Sequence, residues 1–209
     1  MSKQQHAPGE LELVRELVNT ADIEAGEDRL ADRAGLTTWL VEHGLAAADV
    51  RVSSGDLRRA VDLREALRAV LLSHNGGEPA PGGAYEELDA AACRARIRLR
   101  FNDRLEASLE SEAGGVDGAL GRLLTIVQAS IAQGTWPRLK ACREHNCEWA
   151  FYDHTKNRSG AWCNMGVCGN RAKARAYRER HAGAHGSERH VGAHGSERHV
   201  GAHGSEQRR

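Results

Sequence analysis

The sequence predicts a mainly α protein with a β-hairpin. A helical N-terminal domain should be followed by a small ββα-like module held by cysteines. Three observations carry this expectation. Apolar residues recur at helical spacing through most of the first 134 residues, the spacing switches to strict alternation once, near residues 97–109, and four cysteines stand in two pairs further on. A chain of 209 residues suits one ordinary domain plus a small module. The expected boundaries are 8–134 for the helical domain, 135–180 for the cysteine module and 181–209 for a tail.

Leu11, Val14, Leu17 and Val18 mark a short first helix. Thr37 and Gly44 bracket Trp39-Leu40-Val41 as cap and stop of a second. The clearest helix begins near Ser53-Ser54-Gly55-Asp56. Leu57, Val61, Leu67, Val70 and Leu71 line one face, Arg58, Arg59, Arg64 and Arg68 are expected to stay wet, and Asn75-Gly76-Gly77 ends the run. After the Glu78–Gly83 loop, Tyr85 to Cys93 reads as another helix. Ile97, Leu99 and Phe101 then alternate with Arg96, Arg98 and Arg100; Asn102-Asp103 supplies a turn, and Leu105, Ala107 and Leu109 alternate back. That is a hairpin. Past Gly114-Gly115, Leu120, Leu123, Leu124, Val127 and Ile131 form a last helix, which stops before Gly134 and Pro137.

No catalytic constellation stands out in these helices. His43 and His74 fall at helix C-termini, where a cation suits the helix dipole. Cys93 reads as a small core residue. No phosphate-binding glycine loop is present, and nothing resembles a nucleophile–base pair, so an enzyme is not expected. No stretch approaches the roughly 20 apolar residues that span a bilayer. The first ten residues lack the apolar run of a signal peptide. A soluble, cytoplasmic protein with reduced thiols is the expectation.

The zero net charge hides an asymmetry. Residues 1–137 carry 15 basic against 22 acidic side chains, whereas residues 138–180 carry 10 against 4. A basic module on an acidic domain directs attention to a polyanionic partner at the module. In the tail, Gly-Ala-His-Gly-Ser-Glu-Arg-His-Val occurs at 183–191 and again at 192–200, with a partial third copy. A period of nine without apolar alternation builds no core, so a disordered His/Gly-rich tail is expected. Its histidines could hold metal only weakly.

Cys142 and Cys147 have four residues between them, as do Cys163 and Cys168, and fifteen residues separate the pairs. Each short arc can turn both sulfurs toward one ion. Zinc takes four thiolates in a tetrahedron, and a closed shell of four is structural because catalysis needs an open position. Two disulfides would need an oxidising compartment. The spacing fits neither common ferredoxin run. His145 and His154 lie near enough to replace a thiolate, but four well-spaced cysteines make that unnecessary. Zn2+ held by Cys142, Cys147, Cys163 and Cys168 is the expected site. Trp149, Phe151 and Trp162 supply apolar mass around it, and Glu148 to Tyr152 alternates like a strand. After Cys168 comes a basic helical run in which Arg171, Arg175 and Arg178 share one face.

Cys142, Cys147, Phe151-Tyr152-Asp153, Lys156-Asn157-Arg158-Ser159, Trp162-Cys163-Asn164-Met165 and Cys168-Gly169-Asn170-Arg171 together resemble the CGNR zinc finger. Leu17-Val18-Asn19-Thr20 and Thr38-Trp39-Leu40 through His43-Gly44-Leu45 resemble the helical domain that precedes this finger, described as a putative stress-induced transcription regulator. Gly160-Ala161 departs from the basic residues that many members carry before the Trp-Cys pair. The resemblance implies a DNA-binding regulator of transcription. Lys156, Arg158, Arg171, Lys173, Arg175 and Arg178 are the expected phosphate contacts, with the helix after Cys168 directed to DNA. The helical domain would act as sensor or interaction domain, with a small-molecule ligand between its helices and a homodimer as further partners. A zinc-stabilised protein-interaction module without direct DNA contact is the alternative.

Overall fold

A computed structural model describes residues 5–76 and 78–184. Its first helix, α1 (Leu11–Val18), buries Leu11, Val14, Leu17 and Val18 on one side. A small hairpin follows, β1 (Ala21–Asp22) paired antiparallel with β2 (Glu27–Asp28), turned at Gly26 with φ +69°. Two strands of two residues leave no periodic trace, and the sequence does not announce them. Next come α2 (Arg33–Glu42) and α3 (Ser54–Ser73). The N-cap of α2 is Asp32, whose Oδ1 accepts the Gly35 N–H at 2.8 Å. Thr37, expected to cap this helix, lies inside it with its hydroxyl donating to the Arg33 carbonyl at 2.9 Å. Gly44 ends the run at φ +63°.

Ser53 and Asp56 form a reciprocal capping box on α3, with Asp56 N–H donating to Ser53 Oγ at 3.1 Å and Ser53 N–H to Asp56 Oδ2 at 2.7 Å. This helix packs against α1, α2, α5 (Gly115–Ala132) and α4 (Gly82–Arg94). Leu63, Leu67 and Leu71 are wholly shielded in its core face. Replacing Leu67 by Ala should lower unfolding free energy by about 3 kcal/mol in denaturant titration, from lost transfer energy and the void left behind.

Arg64 and Arg68 correct the expectation that the α3 arginines stay wet: both are buried. Each guanidinium has partners in the interior. Arg64 Nη1 donates to Asp28 Oδ1 at 2.7 Å and its Nε to Glu65 Oε1 at 2.7 Å, which ties α3 to β2. Arg68 Nη2 takes the Val18 carbonyl at 2.7 Å, one of the orphan acceptors at the end of α1. Its Nη1 reaches the Glu148 carbonyl at 3.0 Å. Arg68→Ala would strand two carbonyls in the interior. The expected cost is about 3 kcal/mol in the same titration.

Strands β3 (Ile97–Phe101) and β4 (Ala107–Ser111) pair antiparallel, Leu99 opposite Leu109, as the alternation predicts. α5 closes on β4 and the end of α4 through Gly121, where a Cβ would stand 2.5 Å from Ala95 Cβ and 2.6 Å from Ser111 Oγ. The far end of the hairpin is uncovered: Phe101 is 64% exposed and Leu105 84%. Cys93, expected in the core, is exposed. It lies near the end of α4, a helix with only Ala84 and Ala91 buried.

Past α5 a single 3-10 turn, Trp136–Arg138, leads into β5 (Leu139–Ala141), which pairs antiparallel with β6 (Ala150–Tyr152). Leu139, Ala141, Ala150 and Tyr152 belong to the same apolar core as α1, α3 and α5. A π-helical turn, Met165–Gly169, opens α6 (Asn170–Ala184). The chain divides into two units, 1–172 and 173–209. The expected disordered repeats lie outside the described residues beyond Ala184.

Candidate metal centre

The first arc of the site begins where β5 ends. Cys142 N–H still donates to the Trp149 carbonyl at 3.0 Å, so the ladder continues one step into the loop. The chain then folds back: Cys147 N–H and Glu148 N–H both donate to the Glu144 carbonyl, at 2.7 and 2.9 Å, and Glu148 takes φ +47°. The second arc is closed by Asn164. Its side chain accepts the Gly166 N–H at 2.9 Å, and its carbonyl accepts the Cys168 N–H at 2.9 Å. Asn170 donates back to the Gly166 carbonyl at 2.9 Å. At Gly169 a Cβ would meet Met165 Sδ and stand 3.2 Å from Trp162 Cδ1, so a side chain there would force Met165 to move.

Together the arcs bring the Cys142, Cys147, Cys163 and Cys168 sulfurs within 4.8 Å of one another. Cys147 to Cys163 is 3.6 Å and Cys163 to Cys168 is 3.7 Å. Four sulfurs at about 2.3 Å from a central zinc ion have tetrahedral edges of about 3.8 Å, so the spacing suits zinc. Phe151 is buried among them, with Trp149 and Trp162 packed alongside. His145 is largely exposed, and His154 Nε2 is hydrogen bonded to the His6 carbonyl at 2.9 Å. Neither histidine joins the cluster.

The four thiols also act on one another's ionisation. Hydrogen bonds from Cys147 and Cys163 pull the Cys142 thiol well below its ordinary value. The same contact with Cys142 raises Cys147 and Cys163, while burial raises Cys168. Thiols this close disfavour one another's ionisation. A bound Zn2+ reverses this and allows four.

Polar side chains from the helices hold the finger by its backbone. Asn19, next after α1, donates through Nδ2 to the Ala150 carbonyl at 2.9 Å and accepts its N–H through Oδ1 at 2.7 Å, as a neighbouring strand would. Asn75, just past α3, donates to the Ala141 carbonyl at 2.7 Å and the Ala161 carbonyl at 2.9 Å, joining both arcs. His74 bonds the Leu139 carbonyl at 2.9 Å. Burial lowers the His74 pKa, which keeps the ring neutral there. In sequence Asn75 reads only as a helix stop and His74 only as a C-terminal cap. The signal for their second role is long-range and has no period.

A buried ion pair braces the loop after β6. Lys140 Nζ donates to Asp153 Oδ2 at 2.8 Å and to the Arg158 and Gly160 carbonyls at 2.6 and 3.1 Å. Asp153 also accepts the Thr155 and Gly160 N–H groups at 2.9 and 2.8 Å. Burial alone would raise its pKa, but these bonds outweigh burial and hold it at about 2. A Cβ at residue 160 would lie 2.8 Å from Asp153 Oδ1, so the loop closes this tightly on the carboxylate only with glycine there.

The expected DNA-contacting residues are distributed over two segments. Lys156 and Arg158 are exposed in the loop after β6. Arg171, in the first turn of α6, pairs with Glu24 Oε1 at 2.7 Å, and that carboxylate raises its pKa. Along α6, Lys173 and Arg178 are exposed and Arg175 is half-buried.

Helices that grip a four-thiol knuckle followed by a basic helix define a zinc-finger protein. Comparison with family models makes this particular. Residues 138–181 match the CGNR zinc finger, and residues 11–134 match the ABATE domain, described as a putative stress-induced transcription regulator. The latter match covers more than half of the chain, and the chain belongs to that family of transcription regulators. A search of curated proteins found no match. No helix among the described residues is long and apolar enough to cross a membrane.

Proposed function

We propose that this regulator contacts DNA directly through its finger, with Zn2+ held by Cys142, Cys147, Cys163 and Cys168. The observation that carries the reading is the closed cluster of four sulfurs immediately before α6. A metal there fixes the start of the helix that carries Lys173, Arg175 and Arg178. Those residues, with Lys156, Arg158 and Arg171, meet phosphates, and α6 is the element offered to the major groove. The helical domain then acts as sensor or interaction domain.

Fluorescence anisotropy of the zinc-loaded full chain on labelled duplex DNA tests this across salt. Six phosphate contacts give a log–log salt slope of about −5. Replacing Lys173 and Arg178 together by Ala should flatten the slope by about 2 and weaken binding to all duplexes alike. Binding that is absent, or indifferent to salt, would sink the proposal.

One observation favours the second reading, a protein-interaction module without DNA contact. Arg171 is engaged by Glu24 and is not free for a phosphate unless that pair opens. If Glu24→Gln leaves DNA binding unmeasurable while a protein partner is retained, this second reading stands in place of the first.

A further inference from the structure

A cavity of about 630 Å³ opens where the N-terminal segment and the β1–β2 turn approach the metal knuckle. That volume lies within the roughly 300–1,000 Å³ of small-molecule sites. Its apolar lining comes from Trp149, Ala150, Phe151 and Val167. The polar lining sets the Asp22 and Glu24 carboxylates beside the Gln5 and Asn164 amides, so its charge is negative once Arg15 is paired. Gln5 Oε1 is buried without a hydrogen-bond partner. The Asp22 carboxylate accepts the Ala25 N–H at 2.9 Å and makes no ion pair among the described residues. Glu24 adds a second carboxylate, half-exposed and shared with Arg171.

Arg15 also lines the cavity, but Glu12 already engages its guanidinium, with Nε donating to Oε2 at 2.8 Å. Cys147, Cys163 and Cys168 contribute to a further wall. Four thiolates around one Zn2+ keep an excess of negative charge, so metal loading deepens the negative bias. An anion entering here would meet carboxylates and thiolates. A neutral hydrocarbon would leave Gln5 Oε1 without a donor. A cation that donates hydrogen bonds and carries a flat apolar body answers the whole lining.

We propose that this cavity is a binding site for a small arylalkylammonium ion, its aromatic body among Trp149, Phe151 and Val167 and its ammonium at Asp22, Glu24 and Gln5. The site is not between the helices of the N-terminal domain, where the sequence directs attention. It has a built-in connection to the finger. Glu24 is also the partner of Arg171, so an ammonium ion drawing on that carboxylate loosens the pair that engages the first turn of α6. This regulatory half rests on the reading of Arg171 as a phosphate contact; the binding site itself does not.

Isothermal titration of the zinc-loaded full chain at low salt tests the site without DNA. Tryptamine is the probe, and indole-3-propionic acid, a similar body with the opposite charge, is the comparator. Tryptamine should bind at least about tenfold more tightly than the acid, as expected where local charge selects the ligand. Asp22→Asn and Glu24→Gln should each weaken it roughly two- to fivefold, the range of a partly exposed charge pair. Asp49→Asn, beside a different cavity, should not. In nuclear magnetic resonance spectra the Arg171 Nε–H signal should move as tryptamine is added. Equal or tighter binding of the acid, no saturable binding of tryptamine up to 10 mM, or unchanged affinity in both carboxylate variants would overturn the proposal. None of those outcomes bears on DNA binding, which the salt titration decides separately.

Discussion

Stripping the zinc with a chelator should lower the melting temperature of the helical core together with that of the knuckle. The reason is the position of the β5–β6 hairpin. Leu139, Ala141, Ala150 and Tyr152 are part of the core built by α1, α3 and α5, while Phe151, on the opposite side of β6, sits among the cysteines. A structural four-thiolate zinc site is worth roughly 10–16 kcal/mol of apparent binding energy in isolated fingers. Here the helices hold part of the hairpin without it, through Asn19, Arg68 and Asn75. A loss of several kcal/mol remains, which for a chain of this size corresponds to a fall of at least about 10 °C. Calorimetry of loaded and chelated protein should show one shifted transition rather than an unaltered core with a missing shoulder. Cys163→Ser should release zinc from a stoichiometry of one per chain, with an affinity loss beyond the roughly 10–100-fold that a supporting residue costs. Unchanged melting after complete metal removal would refute the shared core.

Lys140→Met should destabilise the protein by about 3–5 kcal/mol, because it strands the Asp153 carboxylate in the interior. Lys140 is 5% exposed and Asp153 1%, so water cannot replace the lost partner. Removing both charges, as Lys140→Met with Asp153→Leu, should cost less than the coupling-free sum of the single changes. Acid adds a second test. The Asp153 pKa falls from 3.8 to about 2 on folding, so its contribution is complete above about pH 4 and is lost as the pH falls toward 2. That is about 2 kcal/mol. Asp153→Asn should lack this part of the acid dependence in denaturant titrations compared with the native chain. An identical slope for both proteins between pH 4 and 2 would remove Asp153 from the account.

The cysteines were legible because metal geometry constrains spacing: two sulfurs on one short arc must be a few residues apart, whatever surrounds them. Helix α3 was legible for a related reason, since Leu67, Val70 and Leu71 repeat with the helical turn. Residues whose partners lie far along the chain were not. Arg68 sits 80 positions from Glu148 and 50 from Val18, and an arginine on a helix gives no sign of reaching inward. Asn75 carries a stop signal and a brace in one side chain, and only the stop has a local rule. Cys93 misled in the opposite direction. Its residue type favours the interior, but α4 is half-uncovered at that point.

The zinc knuckle has no interior of its own on one side. Cut free at Arg138, it would present Leu139, Ala150 and Tyr152 bare to water and lose the strand-like partner that Asn19 provides. Unlike beads on a string, this finger cannot be lifted out and grafted elsewhere as a self-sufficient cassette. A graft would have to carry the helices that cover β5 and β6 along with it.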